Sequence, residues 1–245
     1  MSTTFTQSPQ STVQYPDDDG QPMSENTLQF KWIVLIKEGL ETLFRHDPNV
    51  FVAGDLLWYP EEGKPKIRQA PDAMVVLGRP KGRRGSYMQW KEDSIAPQVV
   101  FEVLSPGNRF DELLRKFRFY EKYGVEEYYI YNPDNGSLLG WRRGDGGLEE
   151  ITEMNGHVSR RLEIRFEPGE GPNNLRIIGP DGQPFRTHQE LMERAEAASQ
   201  AAEAERQRAE AASQAAQVQR QRADTEHQRA ERLAARLREL GIEPD

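Results

Sequence analysis

Residues 188–240 admit only one regular structure. They contain no Pro, Gly, Phe, Tyr or Trp and are dominated by Ala, Glu, Arg and Gln, which favour helix and offer little strand or turn chemistry. A unit of two heptads, Ala195–Arg208, returns as Ala209–Arg222. One seam position reads Ala195, Ala202, Ala209, Ala216, Ala223, Ala230, Leu237; the other reads Ala198, Glu205, Ala212, Gln219, Glu226, Leu233, Leu240. This period predicts a helix of coiled-coil character over 187–240, about 80 Å long. Alanine buries little area, and Glu205, Gln219 and Glu226 are poor knobs. The arm is therefore either a solvated single helix or a helix that pairs at its leucine-bearing end to form a homo-oligomer.

Such an arm accounts for the low apolar content, 36% hydrophobic residues against roughly 45–50% in an average domain. The aromatic residues lie elsewhere: all four Trp fall between Trp32 and Trp141. Residues 1–24 are rich in Ser, Thr, Gln, Pro and Asp and read as a disordered tail, because they bury too little apolar surface to offset the entropy of ordering. A globular domain is expected over 25–180. The chain has no Cys, which excludes disulfides, a thiol nucleophile and thiolate metal sites. His46, His157, His188 and His227 are too scattered for a histidine-rich metal centre. No stretch approaches the roughly 20 apolar residues of a membrane span and no apolar signal core is present, so a cytoplasmic protein without membrane contact is expected.

Within the domain, apolar residues at helical spacing predict a helix over 27–44, and VFVAGDLLWY at 50–59 reads as a strand. Further strands are expected over 73–77 and over 98–104, the latter near-continuously apolar as in a strand buried on both faces. A helix follows over 109–123, stopped by Gly124, then a strand over 127–131. Hairpin strands over 137–141, 148–153 and 158–166 come last, separated by Gly- and Asn-containing turns. The order predicts an α/β fold, a mixed central sheet with helices packed on it and added antiparallel hairpins.

Glu102 stands out because it interrupts QVVFEVL. Burying an ionised carboxylate in an apolar strand costs several kcal/mol unless a cation or good donors meet it. The partner is either a basic side chain or a metal. Asp72, directly after Pro71 at the head of the preceding apolar strand, can bring a second carboxylate to the same point; taken alone it reads as a turn cap. Two hard oxygen ligands suit magnesium, which keeps several waters, with manganese as the alternative. On the following helix Phe110, Leu113, Leu114, Phe117 and Tyr120 form the expected buried stripe. Lys116 lies at its margin, placed either to bring its ammonium to the carboxylates or simply to snorkel.

Pro71-Asp72, then Glu102-Val-Leu-Ser-Pro106, then Asp111 through Lys116 to Tyr120, then Tyr123-Gly-Val-Glu-Glu-Tyr128, together resemble the Uma-type restriction endonuclease family, itself similar to the PD-(D/E)XK nuclease superfamily, over roughly residues 25–180. The resemblance implies a restriction-endonuclease-like sheet, a magnesium site and phosphodiester hydrolysis. It makes Asp72 and Glu102 the metal-binding acids, aided by a main-chain carbonyl near Val103. The sequence departs from the superfamily at Leu104, where the motif lysine would stand, and Lys116 matches a lysine migrated to the next helix. Glu25 is the candidate for a first-helix acid, and Asp55 for a supporting one.

A net charge of −8 and pI near 5.2 are unlike a dedicated duplex binder, but placement matters more than the sum. Arg79, Lys81, Arg83 and Arg84 fall between the two acids, followed by Tyr87, Trp90 and Lys91. This loop is expected to run along a DNA backbone, extended by Arg142-Arg143 and Arg160-Arg161; the bland reading is a solvated turn. Two functions stand: a magnesium-dependent endonuclease acting on DNA with Asp72, Glu102 and Lys116 as catalytic residues, or an inactive nuclease-like protein whose coiled coil recruits partners.

Overall fold

The computed structural model describes residues 13–16 and 26–239. The chain divides into two compact units, Met1–Thr187 and His188–Asp245. The first contains α1 (Thr27–Leu43), β1 (Val50–Ala53), β2 (Trp58–Tyr59), β3 (Ala73–Leu77), β4 (Tyr87–Met88), β5 (Val99–Val103), α2 (Phe110–Lys122), β6 (Glu127–Asn132), β7 (Ser137–Gly144), β8 (Gly147–Glu150), β9 (Arg165–Pro168) and β10 (Leu175–Ile178). The second contains α3 (His188–Glu239).

Six strands form one mixed sheet in the order β1-β3-β5-β6-β7-β8, in which β5 and β6 are parallel and the other neighbours antiparallel. β10 pairs with β9 in a separate hairpin, and β2 pairs with β4 in a short parallel ladder. The alternation of β5 divides its side chains between two cores. Val99, Phe101 and Val103 face α1, through Trp32, Ile33, Ile36 and Leu40, and the hairpin, through Phe166 and Ile177. Val100 faces α2 and the short ladder, through Tyr120, Trp58 and Tyr87. Each large apolar side chain so buried contributes about 1.5–3 kcal/mol, so α1 is held by packing more than by helix propensity. Its start is fixed by Asn26, whose side chain accepts the Gln29 N–H at 2.8 Å.

Four local expectations need correction. The 50–59 segment is two strands, because Gly54 and Asp55, the latter at φ +47°, bend the chain out of the sheet. The 158–166 segment is a turn ending in β9: Ser159 accepts the Leu162 N–H at 3.0 Å and Glu163 adopts φ +57°. β10 follows it, a strand not foreseen. In α2 only the later turns lie over the sheet, where Phe117 meets Tyr128 and Trp141. Phe110 is 80% exposed and Leu114 38%, since the first turns overhang the carboxyl end of β5.

The tail expected over 1–24 falls largely outside the described residues. In its described part, Tyr15 sits edge-on to Tyr59, with centroids 5.3 Å apart, and 5.0 Å from Trp90. In the second unit, α3 spans 52 residues, about 78 Å at the helical rise. Its described side chains are exposed, except Ala234, which is half-buried; Leu240 lies outside the described residues.

Candidate active site

The register of β3 on β5 sets Ala73 opposite Phe101, and continuing it by one residue sets Asp72 opposite Glu102. Both follow the alternation onto the α2 face. Asp72 stands where β3 begins and takes the place of a ladder partner: its Oδ2 accepts the Val103 N–H at 2.6 Å. Glu102 is 2% exposed, and α2 meets its carboxylate with two donors. Lys116 Nζ donates to Oε2 at 2.7 Å, and the Tyr120 hydroxyl to Oε1 at 2.5 Å. Lys116 and Tyr120 are four apart on one helix face, so a single helix supplies both.

Burial and nearby charges act together on Asp72, Lys116 and Tyr120. Burial, then the Glu102 charge, push the Asp72 carboxyl well above the usual carboxylate range, against the pull of Lys116 and the Val103 N–H. Burial works to lower the Lys116 ammonium, but Glu102 and Asp72 outweigh it, and Lys116 is held above the ordinary lysine value. Burial, aided by the Glu102 charge, raises the Tyr120 hydroxyl, so it remains a donor. Tyr128 brings another buried hydroxyl, without a hydrogen-bond partner among the described residues, into the field of both acids.

Asp55 belongs to this neighbourhood, since its charge also acts on Asp72 and its N–H donates to the Pro71 carbonyl at 3.0 Å. Glu25 lies outside the described residues. The first helix instead contributes Gln29, whose Nε2 donates to the Val103 carbonyl at 2.8 Å. Leu104 is half-buried and packs against the α2-side core; it brings no charge. Tyr120 and Gln29 were not singled out as site residues. The signal for Tyr120 was its place four residues after Lys116; for Gln29 there was none, because its partner is a main-chain atom distant in sequence.

The basic loop has a different placement from the one its position in the sequence suggested. It leaves β3 at Leu77, the end opposite Asp72, about 17 Å along the strand. Arg79 pairs with Glu92 at 3.0 Å and with Asp93; Arg84 pairs with Glu92 at 2.7 Å and lies 3.9 Å over the Phe51 ring. Lys81 donates to the Phe44 carbonyl at 2.7 Å, at the end of α1. Arg83 and Lys91 are exposed. Tyr87 belongs to the core, its hydroxyl donating to the Ile95 carbonyl, so it offers no stacking surface.

Among the described residues no group of three or more His, Asp or Glu is disposed to hold a metal ion. The Asp72–Glu102 pair has the other chemistry open to a hard cation, one or two carboxylates with water completing the shell. Asp72 uses only Oδ2 in hydrogen bonding and keeps solvent contact. With one ammonium against two ionised carboxylates the cluster would carry a negative charge in excess, and burial together with the Glu102 charge holds the Asp72 carboxyl high. In kind the two carboxylates suit a hard divalent ion; Asp72 Oδ1 is the open oxygen, while both Glu102 oxygens accept from Lys116 and Tyr120.

A family model, Uma2, described as "Putative restriction endonuclease", matches residues 5–166. Among solved structures, a crystal structure from Anabaena variabilis described as a "putative nuclease belonging to DUF820" is similar at a TM-score of 0.42 and 15% sequence identity, over 58% of this chain and 78% of that one. No curated protein matches the chain.

Proposed function

This chain belongs to the Uma2 restriction endonuclease family, and we propose that it is a divalent-metal-dependent endonuclease hydrolysing phosphodiester bonds in DNA. One observation carries the reading: Lys116 Nζ lies 2.7 Å from Glu102 Oε2, with Asp72 opposite in the strand register. Asp72 and Glu102 would hold the ion, magnesium or in its place manganese. When bound, such an ion supplies Lewis-acid polarisation of the phosphate and lowers the pKa of a water ligand.

The chain's own residues take the remaining roles. Lys116, held above the ordinary lysine value, stays protonated at neutral pH and acts as a fixed positive charge for the phosphoryl oxygens; it is poorly suited to accept a proton. Tyr120 fixes the orientation of the Glu102 carboxylate. Gln29 fixes the Val103 carbonyl at the strand end. Arg83 and Lys81 are the loop cations free to approach a nucleic-acid backbone if Lys81 gives up its bond to α1. The family's description as a restriction endonuclease is what supports DNA as the substrate in this reading. No described helix is long and apolar enough to cross a membrane.

The test is plasmid nicking with magnesium by the wild-type chain beside Glu102→Ala and Lys116→Ala. Nicking by wild type alone, abolished by chelation, supports the proposal. Equal activity in all three overturns it. Absence of nicking in all three, together with no magnesium- or manganese-dependent rise in melting temperature, favours the inactive interaction protein.

A further inference from the structure

We infer a second binding site, an arginine cleft for a phosphate oxyanion, at the end of the sheet where β6 begins. Two Arg-Arg doublets distant in sequence meet there: Arg142-Arg143 near the end of β7 and Arg160-Arg161 in the turn before β9. With Glu126 they line a cleft of about 590 Å³, within the size range of small-ligand sites. The cleft contains neither Asp72 nor Glu102, and the proposal does not rest on the nuclease reading.

Glu127 builds the cleft. It is 1% exposed and stands opposite Arg142 in the strand register. Its Oε1 accepts the N–H groups of Arg160 and Arg161 at 2.8 and 3.2 Å, and its Oε2 accepts from Tyr129 at 3.0 Å and from Ser159. Four donors saturate the carboxylate, so it fixes the turn that carries Arg160 without pairing with a guanidinium. Arg143 is committed elsewhere, donating to the carbonyls of Val125 at 2.8 Å and Glu121 at 2.6 Å. Arg161 donates to Glu126 at 2.5 Å.

Arg142 and Arg160 are left with no acceptor among the described residues. Four guanidinium charges face the carboxylates of Glu126 and Glu127 in the lining and that of Glu149, opposite Arg142 on β8, a local excess of one positive charge in a chain of net charge −8. Arg142 is half-buried, where an unmatched charge is screened least. Planar guanidinium groups of this kind suit the paired oxygens of a phosphate, which accepts two parallel N–H bonds. The phosphate belongs either to a free anion or to a nucleic-acid backbone, and the two sources can be told apart.

The experiment uses the full chain in EDTA, which removes any metal-bridged binding at the carboxylate pair. Pyrophosphate is titrated by calorimetry, and a fluorescent single-stranded oligonucleotide without terminal phosphates by anisotropy. The variants are Arg142→Gln/Arg160→Gln and, as a control of exposed charge outside both the cleft and the basic loop, Lys31→Gln/Arg118→Gln; native fold is checked by circular dichroism. Pyrophosphate binding weakened at least tenfold by the cleft variant alone supports a free or terminal phosphate. Oligonucleotide binding weakened likewise, with a salt slope lower by about 1.4 for two lost contacts, supports a backbone phosphate. Equal weakening by both variants, or no binding of either probe at about 1 mM by the wild-type chain, overturns the site. If the glutamine pair misfolds, Arg142→Lys/Arg160→Lys keeps the charge but removes the paired geometry, and undiminished binding there also overturns it.

Discussion

The Tyr120 hydroxyl donates to Glu102 Oε1 at 2.5 Å while Lys116 holds the other oxygen of the same carboxylate. Both donors come from one helix and the acceptor from the buried strand beneath it, so the orientation of Glu102 depends on α2 being docked. Tyr120→Phe removes one donor and leaves a buried acceptor short. It is expected to lower stability by about 1–3 kcal/mol, measured by urea unfolding. A change below about 0.5 kcal/mol would mean that the bond is not formed in solution.

Lys116 and Glu102 are predicted to be strongly coupled. Lys116→Met leaves an uncompensated buried carboxylate and is expected to cost about 3 kcal/mol in EDTA, whereas Lys116→Met with Glu102→Leu recovers most of that loss. Both variants are expected to lose nicking. Additive losses in a double-mutant cycle would contradict the contact.

Metal binding has a readout apart from cleavage. Magnesium or manganese at a hundredfold excess over its Kd adds about 2.7 kcal/mol of stability to a protein that binds it only when folded. The wild-type chain is expected to show a corresponding rise in melting temperature, and Asp72→Asn a much smaller one. An equal rise in both would remove Asp72 from the ligand set.

Glu92 gives a pH signature far from the site. Hydrogen bonds from Arg84, the larger influence, and Arg79 hold its carboxyl below the usual range, against the opposing effect of burial. The unfolded chain, with an ordinary value of about 4.3, therefore takes up the proton first as pH falls. The stabilisation is fully present above that value and is lost as pH falls through the folded one. Glu92→Gln is expected to cost about 1–2 kcal/mol at pH 7, with a penalty that shrinks below about pH 4. A penalty independent of pH would show that charge is not its source.

Gly136 tests a close approach of two turns. It has φ +78°, and a Cβ there would lie 2.2 Å from the Gly171 carbonyl oxygen. Gly136→Ala meets both backbone strain and main-chain overlap, with an expected cost of about 2 kcal/mol or more by thermal unfolding. Wild-type stability would mean that the turns separate freely.

Much of the architecture could be read from the residues. Hydrophobic periodicity marked α1, β3, β5, α2 and β6 to within a residue or two, because each buries a face whose spacing the chain must repeat. Glu102 was conspicuous for the same reason: an acid in an apolar strand needs a partner. What failed were features set by neighbours. The 158–166 segment looked like a strand, but Glu127, distant in sequence, gathers its N–H groups into a turn. Phe110 had the period of a core residue, yet the sheet ends beneath it.

The sequence by itself determined the α/β order and the helical arm, and it marked Glu102 as an acid in need of a partner, with Asp72 and Lys116 as candidates to meet it. Only the tertiary structure decided that Tyr120 and Gln29 join them, that Arg79 and Arg84 are tied to Glu92, and that two arginine doublets converge around Glu127. The reason is physical. Periodicity and desolvation act along a segment and leave their mark in its composition, whereas a polar contact depends on strand register and helix docking, which are settled by the packing of the whole domain.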